Sequence, residues 1–345
     1  MVIQERERRK VQLTGKSSCM VALPKKWVKE MGLRQGSEII ITRPSLTTLL
    51  ISADQVESPK VKREAVIEFT EKDSVEVVYR KVVSLYIQGY SQIGVKFING
   101  GFNSTKRDSI KEMVRRHLIG TEAVADSRDR ISIHVLLGYS ELSAENALKK
   151  MLVIATSMQK DAMLALQNHD KNVAEGVIER DNEVDRFGLY VIRQLNMSIS
   201  QGIFREEVLE PQDLLGYTLV VRILERIADH SRRICEKIIE MEEPLRASDI
   251  DKILPIGEFA LNMVDSAMLT LFKRDNVGAD LLFDKKRQFS EMLTTVRESF
   301  HDRLGAEEYH AVQLFLDSLA RIVEYAGDIA EVVMNLTIER VVKQS

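Results

Sequence analysis

The apolar positions change rhythm twice along the chain. Over the first fifty residues they fall in short runs: Val11 and Leu13, then Met20, Ala22 and Leu23, with the turn-forming residues 15–18 between them. Pro24 opens a short helix, KKWVKEMGL, which Gly32 stops; Gly36 turns the chain into a strand over 38–42, and Leu49, Leu50 and Ile51 supply a last strand. This predicts a β, β, short α, β, β unit over residues 1–52, too small to bury much core without a partner. Beyond a boundary at Pro59 and a charged stretch, residues 60–140 read strand (AVIEF), helix (VVYRKVVSLYIQGY), strand (IGVKFI), helix (TKRDSIKEMVRRHL) and β-hairpin (TEAVAD with RISIHVLL). That alternation predicts a small open α/β sheet with two helices on one face, similar to ferredoxin-like or ACT-like domains.

From about Ser143 the pattern is helical throughout, with breaks near Gln201, Pro244, Asn276 and Gly305. Six long helices in two groups of three are expected over 143–342, divided at about 143–243 and 249–342. An internal repeat supports the grouping. Ala162-Met163-Leu164-x-Leu166-x-x-x-Asp170 recurs as Ala267-Met268-Leu269-x-Leu271-x-x-x-Asp275, and Leu224-Glu225-Arg226-Ile227-Ala228-Asp229 is echoed by Val323-Glu324-Tyr325-Ala326-Gly327-Asp328. The fold class is thus multidomain: a small β-rich head, an α/β middle and an all-α tail of two three-helix bundles.

Charge sharpens this division. Residues 1–52 carry ten Lys and Arg against four Glu, whereas residues 141–345 carry 25 basic against 36 acidic. A basic head suits a polyanion and an acidic tail suits cations, although two solvated faces would give the same counts. No run of about 18 apolar residues appears, so no membrane span is expected, and the N-terminus MVIQERERRKVQ is too charged for a secretory signal. A cytoplasmic protein is expected. Cys19 and Cys235 stand too far apart, without partner motifs, for a disulfide framework or a cysteine zinc site.

The head carries a specific resemblance. RKVQLTGKSSCMVALPKKWVKEMGLRQGSEIII combines a basic first strand, a turn before a strand ending in Leu-Pro-Lys-Lys, a short helix and a Gly-Leu-x-x-Gly-Ser-Glu connection. It resembles the AbrB or SpoVT-type swapped-hairpin domain, in which two chains interleave and present basic residues to DNA. The resemblance implies a homodimer and DNA contacts through Arg8, Arg9, Lys10, Lys16, Lys25 and Lys26. Such side chains displace counterions from phosphates, and Arg also reads guanine edges.

In the tail the chemistry lies in acidic pairs four residues apart. Asp181 and Asp185, Glu225 and Asp229, and Glu324 and Asp328 each sit on one side of a helix, where like charges cost a few tenths of a kcal/mol. A hard cation shared between helices would offset that repulsion, and the pairs border the apolar stripe, so such an ion would lie on the bundle surface. The alternative is that the acids cap helices, pair with Arg186, Arg226 or Arg232, or stay solvated. A diiron site needs Glu-x-x-His pairs on two helices, which His169, His230, His301 and His310 do not complete. Without a nucleophile constellation or a phosphate loop, an enzyme is not expected, nor is any organic cofactor.

GVIERDNEVDRF, LERIADHSRRICEKI and RIVEYAGDIAEVV are similar to the repeated acidic signatures of the PhoU family. The resemblance implies two three-helix bundles that bind divalent or iron-type metal ions and control phosphate uptake. Aligned through Val173 and Val277, the fifth tail helix puts Lys285 and Phe289 where Asp181 and Asp185 stand, which sets the second bundle apart. The three parts together resemble archaeal-type phosphate uptake regulators. They imply a DNA-binding regulator of phosphate transport genes, or alternatively a protein that acts on a phosphate transporter component or signalling partner, its head serving only for dimerisation.

Overall fold

A computed structural model describes residues 6–15, 18–53, 63–70, 72–98, 104–127, 129–137, 142–201, 211–300 and 303–342. The chain divides after Lys62 into two units, Met1–Lys62 and Arg63–Ser345.

In the first unit β1 (Gln12–Thr14) and β2 (Ser18–Met20) form an antiparallel hairpin, α1 (Lys25–Glu30) follows Pro24, and β3 (Ile39–Ser45) pairs antiparallel with β4 (Thr48–Ala53). Gly15, Gly32 and Gly36 take positive φ at the three turns, the left-handed region where glycine pays no steric penalty. The two hairpins are separate two-stranded sheets. What this unit lacks is an interior. Among its residues whose burial is described, only Pro24 is buried, while Leu13 is 81% and Ile41 59% exposed.

The second unit opens with a four-stranded sheet, β5 (Glu64–Phe69), β6 (Gln92–Phe97), β7 (Thr121–Ser127) and β8 (Arg130–Val135), in the order β5-β6-β8-β7. Strands β5 and β6 are parallel, joined across α2 (Val75–Ile87); β8 runs antiparallel to β6, and α3 (Ser104–His117) leads into the β7–β8 hairpin. This corrects the ferredoxin-like expectation. That topology splits its βαβ unit by inserting a strand, whereas here β6 pairs directly with β5 and the hairpin adds at the other side of β6. Ile93, Val95, Ile131 and Ile133 bury the inward face against Val78, Val82, Tyr86, Ile110 and Val114 of the two helices.

Six helices follow among the described residues: α4 (Ala144–Asn168), α5 (Lys171–Gln201), α6 (Pro211–Glu240), α7 (Ala247–Lys273), α8 (Asn276–Glu298) and α9 (Ala306–Thr337). Helices α4, α5 and α6 pack on one another, as do α7, α8 and α9, and the groups join through α6 on α9 and α4 on α7. One hydrophobic cluster runs through both.

The α4–α5 boundary at His169 escaped the sequence reading, because no glycine or proline marks it. His169 adopts φ 50°, and the carboxylate of Asp170 then accepts from the amides of Asn172 and Val173 to start α5. The same device recurs 105 residues later, where Arg274 has φ 53° and Asp275 caps α8 through the Gly278 amide. These matched turns fix the repeat register.

Helices α2 and α3 lie between the sheet and α5. The carbonyls at the end of α2 and just beyond it are held by donors from outside that helix: Arg193 donates to Tyr86 and Tyr90, Asn196 to Ile87 at 2.8 Å and Arg63 to Gln88 at 2.6 Å. Cations at a helix C-terminus satisfy orphan carbonyls and oppose the negative end of its dipole.

Candidate functional site: the carboxylate face of α5 and α6

Four-residue spacing brings Asp181 and Asp185 of α5 onto the edge that faces Glu225 and Asp229 of α6. Gly188 permits the close approach. A Cβ there would lie 2.5 Å from Glu225 Oε1 and 3.3 Å from Val221 Cγ1, so the Glu225 carboxylate rests directly over the α5 backbone.

Burial pushes the Asp181 carboxyl up to about 6; Arg232 opposes the shift, and Asp185, Asp229 and Glu236 add to it. Asp185 is raised by burial and then by Asp229, and Glu225 by burial against the hydrogen bond from Arg222. These carboxylates feel one another in a partly dry setting. Two arginines relieve them. Arg222 Nη1 lies 2.6 Å from Glu225, and Arg232 reaches Asp181 and Asp229 at 3.4 Å each and Glu236 at 3.8 Å. Among the described residues, no three His, Cys, Asp or Glu side chains gather closely enough to hold a metal ion as they stand. The guanidiniums thus supply positive charge among these carboxylates. Arg232 is among the partners expected from the sequence; Arg222 is not, although its i,i+3 spacing from Glu225 is a legible signal.

The α/β layer overlooks the same face. The ring of Tyr79 in α2 lies 5.3 Å from that of His117 in α3, and the His117 charge opposes the rise at Asp185. Burial, then Asp185, raises the Tyr79 phenol to about 12. Nothing in the sequence paired residues 79 and 117 with 185, since contacts between distant elements leave no periodic trace.

In the second bundle Arg321 pairs with Glu324 at 2.6 Å, copying Arg222 and Glu225. The rest differs. With the register set by His169 and Arg274, Lys286 and Ser290 take the places of Asp181 and Asp185, which corrects the alignment through Lys285 and Phe289 by one residue; Phe289 is core. Lys286 lies along Gly327, where a Cβ would sit 3.5 Å from Nζ, and its charge opposes the burial that raises Asp328. A lysine therefore stands where the first bundle has an acid.

In the first unit Arg8, Arg9 and Lys10 are exposed ahead of β1, and Lys25 and Lys26 are exposed at the start of α1. Arg9 pairs with Glu7, and Lys26 lies 3.9 Å from Glu30. Lys16 and the boundary residues 59–62 lie outside the described residues.

A two-bundle helical repeat with arginine-bridged carboxylates on one face defines the class. Within it, residues 148–238 match the PhoU domain family. The crystal structure of PhoU from Pseudomonas aeruginosa superposes with a TM-score of 0.50 at 21% identity, covering 57% of this chain and 96% of that one. The phosphate transport system regulatory protein PhoU from Streptococcus pneumoniae gives 0.51 at 16% identity, covering 58% and 96%. At these identities the likeness shows the fold. No curated protein matches the chain. No helix among the described residues is long and apolar enough to cross a membrane.

Proposed function

We propose that the chain is a dimeric regulator of phosphate uptake: the PhoU-like bundles sense or relay state, and the N-terminal unit is an AbrB-like swapped-hairpin domain that binds DNA. The observation that carries the regulatory reading is the repeated two-bundle fold with its PhoU match over residues 148–238. The head's apolar hairpins without a core support completion by a second copy, which would cover Leu13, Ile41 and their neighbours. Its exposed Arg8, Arg9, Lys10, Lys25 and Lys26 supply the positive charge a DNA backbone recruits.

On the bundles, Asp181, Asp185, Glu225 and Asp229 are oxygen donors suited to a divalent or iron-type metal, whose charge would relieve the mutual repulsion; binding requires Arg232 to leave Asp181 and Asp229. In the second bundle Glu324 is held by Arg321 and the charge of Lys286 offsets Asp328, so a metal at Glu324 and Asp328 has less repulsion to relieve.

Mapping chromosomal binding at high and low phosphate tests the whole reading: occupancy upstream of phosphate transport genes is expected. In a purified system, replacing Arg9, Lys10, Lys25 or Lys26 by Ala should weaken DNA binding across sequences and lower the salt slope by about one each. Unchanged affinity in all four variants favours the alternative in which the head only dimerises and the chain acts on a transporter component or signalling partner. The free apolar hairpins are the observation behind that alternative.

A further inference from the structure

Beside the carboxylate face, α6 and α9 enclose a shallow cleft of about 250 Å³, lined by Arg226, Asp229, His230, Arg232, Arg233 and Tyr325. Its charge is unlike that of its surroundings. The tail is strongly acidic overall, yet three guanidiniums meet here and the one acid, Asp229, is already bridged by Arg232.

Arg226 and Arg233 make no hydrogen bond or ion pair among the described residues; Arg226 instead lies over the Tyr325 ring, 5.8 Å from its centroid. Seven residues separate the two arginines, two turns of one helix or roughly 10 Å along its axis. His230 sits between them, its ring 5.8 Å from that of Tyr325 and its Nδ1 buried without a partner. Buried polar atoms are normally satisfied, so an orphan between two unpaired cations asks for a group carrying oxygens. The position is not accidental to the fold: Arg226 and Tyr325 occupy equivalent places in the two repeats, so the cleft opens where the repeats meet.

We propose that this cleft binds a small oxyanion of the phosphate class, held by Arg226 and Arg233 with His230 and Tyr325 beside it. Guanidinium groups match phosphate oxygens in planar, bidentate geometry, and two of them bracketing one anion gain both charge and direction. Size selects within the class. Pockets for larger organic ligands run to about 300–1,000 Å³, so this one suits inorganic phosphate or a single terminal phosphoryl group better than a whole nucleotide. The inference rests on the α6–α9 geometry and stands whether or not the head binds DNA.

The test is titration calorimetry of the full chain with inorganic phosphate, ionic strength being held constant with chloride. Saturable binding at one anion per chain is expected, weakened at least ~10-fold in R226A/R233A and only partly in R226K/R233K, which keeps charge but loses the fork. R287A, which removes an exposed arginine of α8 paired with Asp284, should bind as the parent does. Circular dichroism checks each variant's helicity, and single R226Q and R233Q variants carry the test if the double variant misfolds. No saturable heat up to ~10 mM phosphate, or equal affinity in R226A/R233A and the parent, overturns the proposal.

Discussion

Replacing Arg193 by Met should loosen the α/β layer from the bundles while leaving the bundles intact. Arg193 is 3% exposed, donates to the carbonyls of Tyr86 and Tyr90, and places its guanidinium 4.8 Å from the Tyr86 ring centroid. Methionine fills a similar length of apolar space but donates nothing. Each lost hydrogen bond from a charged donor costs about 1.5–3 kcal/mol, and the lost ring contact about 1 kcal/mol more. Against this, a buried cation no longer has to be stripped of water, which returns several kcal/mol. The balance is a loss of about 2–3 kcal/mol, concentrated where α2 ends. Because a chain with several packed layers need not unfold in one step, the readout is native-state hydrogen exchange resolved by segment. Protection in α2, α3 and β5–β8 should fall by that amount while α7 and α9 keep theirs. A change below about 0.5 kcal/mol in the layer, or an equal fall everywhere, refutes the idea that this side chain is the local tether.

Two further predictions concern the carboxylate face. Asp181 holds its proton more tightly folded than unfolded, so its contribution is present at low pH and lost as pH rises from about 4 to about 6. D181N cannot undergo that loss and should gain about 1 kcal/mol over the parent at pH 7.5, after discounting for solvent screening, and little at pH 4; a difference that does not vary with pH contradicts the assignment. G188A trades about 0.8–1 kcal/mol of helix propensity against a tight contact with Val221, so its melting temperature should not fall, yet its methyl must push the Glu225 carboxylate outward. Carbon-detected titration should then show Glu225 moving down toward its ordinary value, and an unchanged Glu225 would mean that the carboxylate does not rest on Gly188.

Much of this fold was legible because its elements repeat on a regular period. The 3.6-residue rhythm marked the long helices, and period-two runs such as Arg-Ile-Ser-Ile-His-Val marked β8, whose Ile131 and Ile133 are buried. The His169 turn was hidden because histidine in the left-handed region has no signature of its own. The sheet order was hidden for another reason: which strand lies beside β6 depends on long-range pairing, and a hairpin reads identically at either edge. At the site, acid spacing along one helix was visible, but the arginines that neutralise the acids, the glycine beneath Glu225 and the Tyr79–His117 pair arise from helix crossings.

Lys286 gives the two halves of the repeat different dependence on their surroundings. An ammonium group fixed to the chain beside Asp328 is a counter-ion at an effective concentration in the millimolar range or above, set by its tether and indifferent to the buffer. Dialysis cannot remove it, a chelator cannot compete for it, and a change in the surrounding ion supply cannot alter its occupancy. In the first half Asp181 shares Arg232 with Asp229 and Glu236, and Asp185 is offset by His117 and Arg232. The two three-helix halves thus differ in how their acids are balanced: one sets a lysine of its own bundle beside Asp328, the other spreads a single arginine over three carboxylates.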